Sequence, residues 1–223
     1  MSRLFDRNDN LAILIAGIFS IIIGIGVARF AFTGLIPPML EDHLSIKFVG
    51  ILASLNFAGY LTGSILSVFL KDINQKVLFY RMGIVLAIAT TFVLGFSTND
   101  TFWMISRVLG GFAGAMALVV GSAIVMTKLK MESKTKAMGI HFSGIGFSIL
   151  TTDLIARYVL SLGYTWQDSW IVLSIFAIVL ASYAMYILSF DKEVKQNVVK
   201  HKFDFSIFTF FVILLIMAYF TEG

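Results

Sequence analysis

Residues Leu11–Leu40 read LAILIAGIFSIIIGIGVARFAFTGLIPPML. No charge occurs between Leu11 and Ala28. A single arginine, Arg29, then stands inside continuing apolar sequence, and the run stops at Pro37 and Pro38. About 20 apolar residues cross a ~30 Å hydrocarbon core at ~1.5 Å rise each, so the stretch reads as a membrane-spanning helix. A charge near the bilayer centre costs about 2.5–3.5 kcal/mol on insertion scales, and such side chains turn towards protein or a polar cavity. One helix carrying an arginine therefore needs a bundle.

The rest of the chain supplies it. Of 223 residues, 58% are hydrophobic and 13% charged, about half the charged share of a soluble domain. The mean hydropathy is +0.91, the composition of a polytopic, all-α membrane protein. There is no cysteine, which excludes disulfides, thiol chemistry and cysteine-based metal sites. The net charge of +4 does not indicate nucleic-acid binding, because the charges sit in short loops between apolar spans. The basic start, MSRLFDRNDN, resembles a signal peptide. The apolar run after it is too long for one and lacks a small-residue cleavage site, so it reads as a retained first span.

Six spans follow one another: Asn10–Thr33, Ile46–Leu70, Val77–Ser97, Thr101–Thr127, Ala137–Leu160 and Trp170–Phe190. Residues 1–190 form the six-helix bundle, 191–204 a polar connector, and 205–223 an incomplete seventh helix. Gly59 and Gly63 in the second span, and GGFAGA (110–115) in the fourth, are small-residue faces suited to close helix approach. Lysines and arginines mark one side of the membrane. Arg3 and Arg7 precede the first span, and Lys71, Lys76 and Arg81 flank the second loop. Lys128, Lys130, Lys134 and Lys136 fill the fourth loop, and Lys192, Lys195, Lys200 and Lys202 the connector. The opposite loops carry Lys47 alone. By the positive-inside rule the amino terminus is cytoplasmic.

That orientation places the intramembrane charges by depth. Arg29, Arg107, Asp153 and Arg157 all fall within roughly 5–12 Å of the outer boundary at ~1.5 Å per residue. Glu222 joins them if the seventh span continues outward. Asp153 and Arg157 stand four residues apart on one helix face, the spacing of an ion pair that satisfies itself. Arg29 and Arg107 have no acid within four residues and must find a partner on another helix, a carbonyl, water or a bound anion. They are therefore substrate or gating candidates, with Glu222 as a candidate proton acceptor. His141 and Asn56 read first as packed side chains. Trp103, Trp166 and Trp170 read as indoles at the outer headgroup level.

Arg107-Val-Leu-Gly-Gly-Phe-Ala-Gly-Ala resembles the arginine–glycine motif of the major facilitator superfamily, at the expected place in the fourth span. GIGVARFAFTGLIPPM (24–39) resembles the first-span signature of its YbfB/YjiJ-like branch, and Tyr219–Gly223 the acidic start of that branch's seventh-span motif. The resemblance implies the six-helix, amino-terminal half of a major-facilitator fold plus a truncated seventh helix. It implies a secondary transporter in the cytoplasmic (inner) membrane of a bacterium, moving a small solute between two halves. The first, fourth and seventh spans line the cavity in that superfamily, and Arg29, Arg107 and Glu222 lie on those three. Cationic side chains there suit an anionic, proton-coupled substrate. No cofactor or metal is implied. Two departures stand out. The second loop, LKDINQK, keeps only scattered charge of the superfamily's loop motif, and the fifth span lacks the Gly-Pro pair of its drug/proton antiporters.

Length sets the rival readings. A complete transporter of this type has about twelve spans, and this chain has six and part of a seventh. A fragment, a prematurely terminated gene and a dimerising half-unit are the three explanations, with truncation and a missing carboxy-terminal half favoured. The alternative function is a non-transporting membrane protein that associates with other chains. An intramembrane serine protease would need Gly-x-Ser-Gly, and His141-Phe-Ser-Gly144 has histidine where glycine is required.

Overall fold

Asp9 opens the first long helix by accepting hydrogen bonds from Leu11 N at 2.8 Å and Ala12 N at 3.4 Å. The same device recurs at Ser45, Asp72 and Asn99, each of which caps the helix that follows it. Thr165 and Asp168 form a reciprocal capping box before the last helix. The computed structural model describes residues 2–42, 44–130 and 134–189. Within them lie six helices long and apolar enough to cross a membrane: α1 (Asn10–Asp42), α2 (Ile46–Phe69), α3 (Ile73–Phe96), α4 (Asp100–Lys128), α5 (Lys134–Ser161) and α6 (Trp166–Ile187). No strand occurs among the described residues. The connector 191–204, the seventh helix 205–223 and Glu222 lie outside them.

The apolar windows of α1 and α4 are 78% and 67% buried, against 22% for α2 and α5, so α1 and α4 form the enclosed centre. Helix α2 packs chiefly on α4 and α5 chiefly on α1, while α3 packs on both α4 and α6. Each three-helix unit, α1–α3 and α4–α6, thus lends its middle helix to the other's first. This is the interlocking expected of inverted repeats in transporters.

Lipid tails are as apolar as leucine, so close packing rather than water exclusion holds such helices together. Glycine permits the closest approaches. A methyl group on Gly59 would collide with the Val108 carbonyl, and one on Gly111 with the Asn56 carbonyl. Helices α2 and α4 therefore meet backbone to backbone. Gly26 in α1 similarly meets Ser148 and Thr152 of α5.

Two sequence expectations are corrected. Helix α1 does not stop at Pro37 and Pro38 but runs through both to Asp42. Proline removes an N–H donor, yet its fixed φ is helical, and here the pair lies in the last turns. Helix α6 begins at Trp166 rather than Trp170, because the Thr165–Asp168 capping box starts it one turn earlier. The three tryptophans expected near the outer headgroup level are turned inward. All are buried, with Trp103 edge-on to Trp166 at 5.6 Å. Trp166 Nε1 donates to Asp42 Oδ2 at 2.9 Å, tying the end of α1 to the start of α6. Trp166→Phe keeps the apolar bulk and removes this bond. The expected loss is about 1 kcal/mol, read as a lower unfolding temperature in detergent.

Two segments depart from α-geometry. Ile22–Phe30 of α1 and Met116–Val120 of α4 are π-helical. They touch: a methyl group on Gly24 would collide with the Ala117 side chain and lie 3.4 Å from Gly114 Cα. Such turns are rare and frequently mark functional sites.

Candidate functional site

Helix α1 presents Arg29 from the end of its π-helical segment, and α4 presents Arg107 two turns into the bundle. Arg107 is only 3% exposed. Its Nη1 donates to the Ala28 carbonyl at 3.1 Å, and its guanidinium lies 4.5 Å from the Phe32 ring centre. Its Nε is buried without a hydrogen-bond partner. Asn56 of α2 donates from Nδ2 to the Arg107 carbonyl at 3.0 Å. A methyl group on Gly110 would lie 3.3 Å from the Thr90 hydroxyl of α3 and 3.4 Å from the Ala28 carbonyl. Four helices therefore converge on Arg107. The small residues of the GGFAGA stretch are what let them approach.

Arg29 is half-buried and held by aromatic rings, not by acids. Its guanidinium stands 4.5 Å from Phe57, 4.6 Å from Tyr60 and 5.5 Å from Phe30. Contacts of this kind contribute about 0.5–2 kcal/mol and leave the N–H donors available for another acceptor. Neither guanidinium pairs with a carboxylate among the described residues, and Arg107 reaches α1 at the carbonyl of Ala28, the residue next to Arg29. Two unneutralised cations at the meeting of α1, α2 and α4 form an anion-attracting corner.

The structure brings Arg29 and Arg107 together and places the other expected charges apart from them. Arg157 Nε donates to Asp153 Oδ2 at 2.7 Å along α5, with the arginine side chain 72% exposed. Asp153 also abuts α1, where a methyl group on Gly34 would lie 2.9 Å from its Oδ1. Glu222 is outside the described residues.

A second polar cluster was not anticipated, although His141 itself reads as a packed side chain in the sequence. Tyr80 of α3 is fully buried and hydrogen-bonds Ser20 of α1 at 2.6 Å. Ser20 itself donates to the Ala16 carbonyl at 2.8 Å, so Tyr80 is the donor to Ser20. His141 of α5, 1% exposed, meets Ser122 of α4 through Nε2 at 2.9 Å. The available signal was the presence of Ser20 and Tyr80 inside otherwise apolar runs.

Six apolar helices with polar groups turned inward define a multi-pass membrane protein. The chain belongs to the family described as "Uncharacterised MFS-type transporter YbfB", which matches residues 21–223, and is thus a member of a transporter family of the major facilitator superfamily. It is also similar to the multidrug efflux pump SdrM of Staphylococcus aureus (strain N315). The two are 26% identical over 173 residues, covering 77% of this chain and 37% of that relative. The chain therefore spans well under half of the relative's length.

Proposed function

We propose that this chain is the amino-terminal half of a secondary transporter that moves a small anionic solute across the cytoplasmic membrane. One observation carries the reading: Arg29 and Arg107, on the two most enclosed helices, converge without a carboxylate partner among the described residues. Guanidinium groups bind carboxylates and phosphates through charge-assisted, often bidentate hydrogen bonds. The lysine- and arginine-rich loops support a cytoplasmic amino terminus. Uncovered faces support a second half. On α2, Gly50, Ser54, Ala58 and Thr62 are exposed at four-residue spacing, and on α5, Gly139, Ser143 and Gly146 are exposed. These are the small residues that let another helix dock closely. Proton coupling belongs to the same proposal, with Glu222 as the candidate acceptor. The likeness to an efflux pump favours outward movement of the solute.

The test is transport in a chain carrying both halves. Arg29→Gln keeps a polar side chain of similar reach and removes the charge. It is expected to cut anion transport at least tenfold at normal membrane levels, the worth of about 1.4 kcal/mol of lost charge-assisted bonding. Arg29→Lys restores charge but not the planar fork, and recovers part of the rate. Undiminished transport by Arg29→Gln sinks the anion assignment.

A further inference from the structure

His141 sits where three helices meet. Its Nε2 lies 2.9 Å from the Ser122 hydroxyl of α4. Its Nδ1 is buried with no hydrogen-bond partner. Against Nδ1 stands Gly17 of α1: a methyl group there would lie 2.6 Å from Nδ1 and 2.7 Å from Cε1, so nothing separates ring and backbone. One turn on, a methyl group on Gly144 would lie 3.3 Å from Ile18 Cγ2, so the α1–α5 seam continues tight beyond the histidine. A neutral imidazole carries one N–H. With Nε2–H donating to Ser122, Nδ1 presents a lone pair to Gly17, a cheaper arrangement than a buried N–H without an acceptor.

We infer that His141 is a proton-binding site whose occupation opens the α1–α5 seam at its Gly17 end. Adding a proton to Nδ1 forms an N–H bond aimed at a Cα, in a gap that holds no acceptor. The new donor is satisfied when α5 draws back far enough to admit water, which needs about one probe sphere of space and two or more polar partners. Ser122 stays bonded at Nε2, on the other side of the ring, so the entering water takes its second partner from further water admitted with it. Among the described residues no carboxylate faces the ring. Helix α1 presents Gly17 and Ile18, α4 presents Ser122 and Val125, and α3 reaches nearest with Tyr80 through Ser20 and Gly121. At this end of the bundle α4 carries Lys128 in its last turn and α5 carries Lys134 and Lys136 in its first. The proton thus acts on a neutral surrounding, and the response is a change of spacing rather than an exchange of ion-pair partners. The inference does not depend on the anion reading of Arg29 and Arg107.

The chain has no cysteine, so spin labels can be placed at will. Leu11 of α1 and Lys136 of α5 are both exposed near the Gly17 end of the seam. With labels at Leu11→Cys and Lys136→Cys in lipid nanodiscs, the electron–electron distance is measured from about pH 8 to about pH 3.5, a range that extends well below the titration of an exposed imidazole. The expected result is a lengthening of about 3 Å on acidification, the width of one water. In His141→Gln the distance is expected not to change with pH. A distance constant across the range overturns the proposal, as does the same lengthening in His141→Gln. Should His141→Gln fail to fold, Ser122→Ala serves, since it keeps the imidazole and removes its one partner. It moves the midpoint of the opening by about one pH unit, the worth of one hydrogen bond to a charged group. An unmoved midpoint in Ser122→Ala also overturns it.

Discussion

Gly111→Val is expected to remove folded protein from the membrane. The valine Cβ would occupy the position of the Asn56 carbonyl, and 2.9 Å away stands the Tyr60 backbone nitrogen. Both obstacles are main chain, so no rotamer change relieves them. The reciprocal contact, Gly59 against the Val108 carbonyl, leaves α2 no room to slide away from α4. Overpacking costs about 1–3 kcal/mol where side chains can yield and more where they cannot. Domain stabilities are only about 5–15 kcal/mol, so the loss is a large share of the total. Separating the helices would also break the Asn56 bond to the Arg107 carbonyl. The measurement is the monodisperse fraction after detergent extraction, with its unfolding temperature. Gly146→Val is the matched control: a methyl group there has no neighbour within 4 Å, and the 223-residue chain should tolerate it. A stable Gly111→Val chain would refute the backbone-to-backbone account of the α2–α4 seam.

Arg107→Gln is expected to fold and to lose transport. Glutamine is neutral, so no uncompensated charge is buried, and its loss falls first on the Ala28 carbonyl that Arg107 holds at 3.1 Å. An unsatisfied buried carbonyl costs about 1–3 kcal/mol, which the bundle survives. The functional loss is larger in proportion. Removing the buried member of the cation pair takes away charge-assisted bonds of about 1.5–3 kcal/mol, roughly a ten- to hundredfold fall in anion transport. Anion transport in a chain carrying both halves, set against its membrane level, separates the two effects. Transport at the unsubstituted rate would show that Arg107 only fastens α4 to α1.

The six spans within the described residues were legible because charge-free runs such as Leu11–Ala28 have no other reading at that length. Gly59 and Gly63 likewise announced a close approach, and their spacing found the right helix face. Which way a large apolar side chain points was not legible. The inside of a bundle and the lipid around it are equally apolar, so hydropathy could not reveal that Trp103, Trp166 and Trp170 face inward. Pro37 and Pro38 misled for a related reason: proline reports a missing N–H, not whether the helix needed that donor. The His141–Ser122 and Tyr80–Ser20 bonds join residues from separate helices, and only tertiary packing brings them together. The π-helical segments were invisible, since nothing in the residues of Ile22–Phe30 or Met116–Val120 marks a wider helical turn.

Those two segments have a mechanical consequence. Helices α1 and α4 are each divided into two rods, and the divisions touch where Gly24 meets Gly114 and Ala117. On one side of this fulcrum lie Arg29 and Arg107; on the other lie Gly17 and Ser122. A wider helical turn bends more readily than the α-helix on either side of it. The pair can therefore rock like crossed levers about a glycine bearing, with the central contact kept shut while one end spreads and the other closes.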